Sequence, residues 1–225
     1  MSSSRHTSTS RPSRRRHRET PSASSAGAGA ADRTTRAHTA ESRLLDAARE
    51  CILAVGWRRT TLTDVARRGG VSRMTIYRIW PDMQTLLADL MTREWSGLAD
   101  AAARRAAAQP TGAARVAAGV VATVTALREN ELLRRILEVD PEMLLPYLLD
   151  RRGRSQDGVL ALLEPVIVAG QDDGTVRRGD PTLLARSIVL AAHGFALSAQ
   201  TMTDGISEQQ LQRELHTLVE RYVTP

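Results

Sequence analysis

Between Thr61 and Arg78 the chain places Thr61, Thr63, Ser72, Arg73, Met74, Thr75, Tyr77 and Arg78 within eighteen positions. Hydroxyls and a phenol can hydrogen-bond phosphate oxygens, and guanidiniums can pair with phosphates or fork onto a guanine edge. A thioether suits a thymine methyl. This is recognition chemistry rather than bond-breaking chemistry. The five histidines, at 6, 17, 38, 193 and 216, stand far apart with no acid, base or nucleophile set around them, so no enzyme is expected. Cys51 is the single cysteine; it excludes an intramolecular disulfide and reads as a small buried hydrophobe rather than a redox sensor. No metal-ligand spacing or cofactor motif occurs, and none is expected to bind.

Those recognition residues need a scaffold, and the local sequence supplies one. Thr61 with Asp64 three residues on makes a capping-box start for a short helix. Gly69-Gly70 ends it after about two turns, with Gly70 able to take the left-handed conformation that reverses the chain. Ser72 is a strong N-cap for a second helix, Arg73 to about Ile79, which must stop before Pro81. Leu62, Val65, Val71 and Ile76 are left to form a small core. Two short helices joined by a glycine turn make a helix-turn-helix at residues 61–78, and its partner is double-stranded DNA.

The remainder of the chain reads as helix throughout. Aromatics are 3% of 225 residues, and the apolar content is carried by Leu, Ala and Val, which favours helices over sandwiches. Leu44, Ala48, Ile52 and Val55 recur at helical spacing up to Gly56, and Asp82 caps a long helix carrying Leu87, Met91, Trp95 and Leu98. Asp140-Pro141 and Asp180-Pro181 both read as an N-cap followed by Pro at N1, each opening a helix. Pro165 predicts a kink inside an apolar stretch at 155–169. The expected fold is all-α, in three parts. Residues 1–36 form a disordered Arg/Ser-rich tail, 39–82 the DNA-binding domain, and 83–225 a helical effector-binding and dimerisation domain.

Charge is graded along this order. The tail holds eight Arg against two acids, residues 39–96 nine against seven, and residues 97–225 fourteen against sixteen. Basic charge at the N-terminal end is where nucleic acid is expected to meet the chain. The tail itself has two readings, a basic arm that tracks phosphates and a solvated leader. No eighteen-residue apolar run exists, and the N-terminus lacks the apolar region of a secretory signal, so a cytoplasmic protein that does not span a membrane is expected.

At this level of detail residues 41–95 resemble the tetracycline-repressor (TetR) family of bacterial regulators. The matching pieces are Arg43-Leu-Leu-Asp-Ala-Ala48, Gly56-Trp57, Thr60-Thr-Leu-Thr-Asp-Val-Ala66, Gly70-Val-Ser72, Thr75-Ile-Tyr77, Trp80-Pro81 and Leu86-Leu87. The resemblance implies a three-helix DNA-binding domain leading into an all-α ligand-sensing and dimerising domain. It also implies that Arg73, Met74 and Thr75 lie nearest the bases, with Tyr77, Thr61, Thr63 and Ser72 on phosphates. Met83 departs from the family, which typically has a Lys there. Met74 stands where a small residue is common, Ile52 where a Phe is common, and Trp80 where a Phe or Tyr is.

The helical region past residue 100 is then expected to hold an unknown small-molecule effector, with Trp95, Met143, Tyr147, His193 and Phe195 either lining its pocket or filling the core. His193 reads first as a satisfied core histidine. A homodimer is expected to form through Leu184, Ile188, Ala192 and Ala196 on one helix and Leu211, Leu215 and Leu218 on the last, in a four-helix bundle; the bland alternative is packing within one chain. The functional expectation is a repressor released from a pseudo-palindromic operator by the effector. An activator of the same fold and a nonspecific DNA-coating protein are the alternatives.

Overall fold

In a computed structural model the described residues run from Ser24 to Pro225, with side chains described from Thr39 onward. They form nine α-helices and no strand, as the all-α expectation required. In chain order these are α1 (Ser24–Val55), α2 (Leu62–Arg68), α3 (Arg73–Ile79), α4 (Met83–Ala106), α5 (Gly112–Glu129), α6 (Glu131–Val139), α7 (Arg154–Asp172), α8 (Pro181–Leu197) and α9 (Glu208–Val223). Of the expected disordered tail, residues 1–23 lie outside the described residues. The helical backbone reaches back to Ser24 rather than starting near Thr39; the alanines between 26 and 31 have the propensity to extend it.

Local capping chemistry sets the short helices. Thr61 Oγ1 accepts from the Asp64 N–H at 3.2 Å, and Asp64 Oδ2 accepts from the Thr61 N–H at 3.2 Å. Gly70 takes φ +68°, the left-handed turn that sets α3 off from α2. Ser72 Oγ accepts from the Thr75 N–H at 3.2 Å to start α3, and Asp82 Oδ1 accepts from the Thr85 N–H at 2.7 Å to start α4.

Two cores lie along residues 41–225, and the first ignores the boundary expected after Asp82. It joins Leu44, Ile52, Leu62, Val65, Ile76 and Trp80 to Leu86, Leu87 and Leu90 of α4 and to Leu132 and Ile136 of α6. We call this unit the head. Ion pairs reinforce the joint: Arg49 meets Glu94 and Glu131 at 3.4 and 3.1 Å, and Arg93 meets Asp46 at 2.9 Å. The second core gathers Val116, Ala117, Leu160, Ile167, Leu184, Ile188, Leu215 and Val219 from α5, α7, α8 and α9; with the rest of α4 this is the bundle. Its α5 and α7 meet at two glycines: a Cβ on Gly112 would lie 2.2 Å from the Gly170 Cα.

Asp140-Pro141 departs from expectation. It opens only a single 3-10 turn, Pro141–Leu144, with no side-chain cap, followed by a short π turn, Pro146–Asp150. The carboxylate is buried and accepts from the backbone N–H of Trp57 at 2.8 Å, 83 positions away. A long-range backbone donor, unsatisfied without it, has displaced the local cap. Asp180 does behave as a cap, accepting from the Thr182 N–H at 2.9 Å. α7 continues through Pro165, and the helix expected over 181–203 ends at Leu197, with a 3-10 turn after it.

Candidate nucleic-acid interface and the cavity behind it

α3 is anchored by Ile76, with Ile79 half-buried against the same core, and exposes most of the rest. Ile76 is fully buried, whereas Met74 is 81% and Tyr77 50% exposed, and Arg73 and Arg78 are exposed too. Met74, Thr75, Tyr77 and Arg78 line one shallow concavity. Spacing of three and four puts Met74, Tyr77 and Arg78 on a single helix face.

Pairing separates the arginines. On α2, Arg67 holds Asp64 at 2.9 Å and Arg68 holds Glu50 at 2.6 Å. Neither Arg73 nor Arg78 has an acidic partner among the described residues. Their charges are therefore available to an outside anion, while those of α2 are committed. Thr61 sits at the rim, but its hydroxyl donates to Asp64 Oδ2 at 2.5 Å, and that bond holds the Asp64 carboxyl below the usual carboxylate range. Ser72 Oγ and Thr75 Oγ1 lie 2.9 Å apart, so each already has one partner. Thr63 is half-buried with its hydroxyl unpaired. Met83, in place of the family's Lys, packs against the head core.

A partly open cavity of about 260 Å³ runs beside α4, lined by bundle residues and, at one end, by Met91, Leu133 and Leu144 of the head core. Trp95, Tyr147 and His193 line it, as the sequence reading allowed. Met143 and Phe195 do not. Met143 packs on the head core and Phe195 on the bundle core, while the neighbouring Leu144 and Leu148 face the space instead. Arg154 and Gln156 also line it; neither was a sequence candidate, and no local spacing marks them.

The dimer residues need a larger correction. Leu184, Ile188, Ala196 and Leu215 are buried inside the chain's own core, so no second copy can touch them. Ala192 and Leu211 are half-buried, and only Leu218 is exposed, at 47%. α8 is apolar on two faces, and the stripe read as an interface is the one spent internally. The face it leaves open carries Leu183 and Leu190, 61% and 72% exposed.

Two bonded paths lead from the cavity to the head. Arg154 pairs with Asp89 of α4, and Asp89 Oδ2 accepts from Trp80 Nε1 at 2.7 Å; Trp80 is the residue that closes α3. Leu144, Tyr147 and Leu148 lie just beyond Asp140 in the chain, and Asp140 holds Trp57 and lies 3.6 Å from Arg58. No described helix is long and apolar enough to cross a membrane, and no described cluster of His, Cys, Asp or Glu could hold a metal ion.

Comparison with known proteins agrees with this geometry. Residues 44–90 match the family described as bacterial regulatory proteins, tetR family. An HTH-type transcriptional regulator of Mycobacterium tuberculosis is 31% identical over 181 residues, covering 80% of this chain and 93% of that protein. Among solved structures, the TetR-family repressor QsdR of R. erythropolis superposes with a TM-score of 0.61 at 18% identity, over 84% of this chain and 97% of that one. The regulator FadR of Bacillus subtilis, solved with stearoyl-CoA, gives 0.57 at 16%, over 80% and 98%.

Proposed function

We propose, from the premise that this chain belongs to the tetR family of bacterial regulatory proteins, that it is a DNA-binding regulator acting as a ligand-released repressor. Two copies present α3 to successive major grooves of a pseudo-palindromic operator. Arg73 and Met74 address base edges, and Tyr77 and Arg78 address phosphates. The dimer forms through the open face of α8 that carries Leu183 and Leu190, with Leu218 of α9 beside it.

The observation that carries this reading is the bonded path from Arg154 through Asp89 to Trp80. It joins the wall of an apolar cavity to the end of the recognition helix without an intervening loop. A molecule that displaces Arg154, or widens the gap between α4 and α7, therefore acts on α3 directly. A change of a few kcal/mol between the two arrangements is enough to lower operator affinity greatly.

A mobility shift with the chain's own upstream intergenic DNA, against a scrambled competitor, tests the regulator reading. Preference for the intergenic sequence is expected. Equal binding to both would leave only a nonspecific DNA-coating protein.

A further inference from the structure

The cavity lining states what could fill it, and the inference rests on the reading of that cavity as the effector site. A cavity of about 150 Å³ holds a benzene, which has six heavy atoms. At about 260 Å³ this one holds roughly ten by the same scale. Its walls between α4 and α5 are small or aliphatic, among them Ala99, Ala103, Gly119 and Val120. From Trp95 to Ala106, both in the wall, α4 rises about 16 Å, so the space suits a chain better than a disc.

The polar groups decide the rest. Gln156 is oriented by two backbone partners: its Oε1 accepts from the Gly153 N–H at 2.7 Å, and its Nε2 donates to the Tyr147 carbonyl at 3.2 Å. Its second amide hydrogen faces His193 Nε2 at 3.4 Å. That ring nitrogen is therefore an acceptor, and the ring proton sits on Nδ1. Burial holds the His193 pKa below its ordinary value, which keeps the ring neutral. Trp95 Nε1 is buried with no hydrogen-bond partner.

The Trp95 indole N–H and the His193 Nδ1–H are thus left unmatched, as are the hydroxyls of Ser155 and Tyr147 in the same wall. The hydroxyls of Thr92 and Thr123 are spent on the carbonyls of Ala88 and Gly119, at 2.6 and 2.8 Å. Arg154 is paired with Asp89, and Arg115, at the far end, bonds the carbonyls of Gln109 and Pro110. An ammonium would find no carboxylate in the lining, only neutral oxygens. A carboxylate beside Trp95 and His193 would lose its hydration for neutral donors, because Arg115, the lining guanidinium without an acidic partner, stands at the other end.

We infer that the cavity takes an uncharged, largely linear aliphatic molecule of about ten heavy atoms, bearing a carbonyl oxygen that accepts from Trp95 or His193. An ester, ketone or lactone with a medium-length chain meets that description.

The test is calorimetric titration of the full chain with methyl octanoate, octanoate and octylammonium. The ester is expected to bind at least tenfold more tightly than either ion. At least one of Trp95→Phe and His193→Phe should weaken it about fivefold, the cost of one hydrogen bond. Ala103→Leu, which fills the wall, should reduce binding of the ester while the thermal transition stays cooperative. Octanoate or octylammonium binding as tightly as the ester would overturn the inference. So would the absence of binding by all three, or both Phe variants binding the ester like the parent chain. Release of operator DNA by saturating ester is read separately, in the mobility shift. Tight ester binding with no release would end the effector reading and leave the ligand chemistry standing.

Discussion

In the head, Trp80, Leu86, Leu90, Leu132 and Ile136 are at most 2% exposed, and helices from three parts of the chain close on one another. In the bundle, α4, α5, α7 and α8 leave a partly open cavity of about 260 Å³ between them. The same apolar alphabet of Leu, Val, Ile and Ala builds both. What differs is the anchoring of polar groups: the head's buried carboxylate, Asp140, has a fixed backbone partner, whereas the bundle's Trp95 Nε1 has none. A filled unit moves as a body, and a hollow one can change shape at low cost. On the proposed reading, the DNA-facing head is the rigid unit and the bundle the compliant one.

The sharpest way to break this contrast is to truncate a leucine on each side. Leu132→Ala removes a fully buried side chain shared by α6 and the head, and should cost about 3 kcal/mol. Leu163→Ala, in the cavity wall, should cost less than half of that, because its neighbours already border empty space. Urea melts of the two variants measure the difference; equal costs would mean the bundle is as tightly packed as the head.

Two aspartates make the next comparison. Asp140→Ala strips the acceptor from a buried Trp57 N–H and should cost about 2–3 kcal/mol, with operator affinity falling alongside. Asp180→Ala removes an exposed helix cap in the bundle and should cost about 1 kcal/mol. Thermal melting separates the two. A milder effect at Asp140 would show that Trp57 finds another partner.

These aspartates also mark what could be read from the sequence. Thr61, Ser72, Asp82 and Asp180 were legible as caps and Gly70 as a left-handed turn, because each answers to neighbours within four residues. Asp140 carries the same Asp-Pro signature as Asp180, yet serves a donor 83 positions away. Nothing local distinguishes them. The exposure of Arg73, Met74, Tyr77 and Arg78 followed from the short amphipathic pattern of α3. The stripe on α8 did not, since a helix apolar on two faces leaves the choice of partner to tertiary packing. Arg154 and Asp89 pair across 65 positions for the same reason.

The unpaired arginines sharpen the contrast at the surface. Arg78→Ala, which removes one phosphate contact from each of two copies, should lower the slope of log affinity against log salt by about two, and Arg73→Ala should relax the preference for operator over scrambled DNA; neither should move the melting temperature. Arg105→Ala, also exposed but at the bundle end of α4, should change neither slope nor preference. Titrating operator binding at several salt concentrations gives the slopes, and an unchanged slope for Arg78→Ala would remove that residue from the phosphate contacts.

Acid should act on one region only. Residues 41–91 contain no histidine, whereas the bundle holds His193 and His216. Burial lowers the His193 pKa in the folded chain, so as pH falls the unfolded chain takes up the proton first, near its ordinary value of about 6.5. The unfolded state then binds more protons than the native one, and stability rises with pH across that range and is lost below it. Amide hydrogen exchange at pH 7.5 and 5.5, corrected for intrinsic rates, should therefore show the bundle opening more readily at the lower pH. His193→Gln should remove part of that change, because glutamine offers no site for the proton. The helices of the head, whose opening does not expose His193, should keep their protection. If α2 and α3 loosen in step with α7 and α8, then the two regions unfold as one unit, and the rigidity assigned to the head belongs to the whole chain.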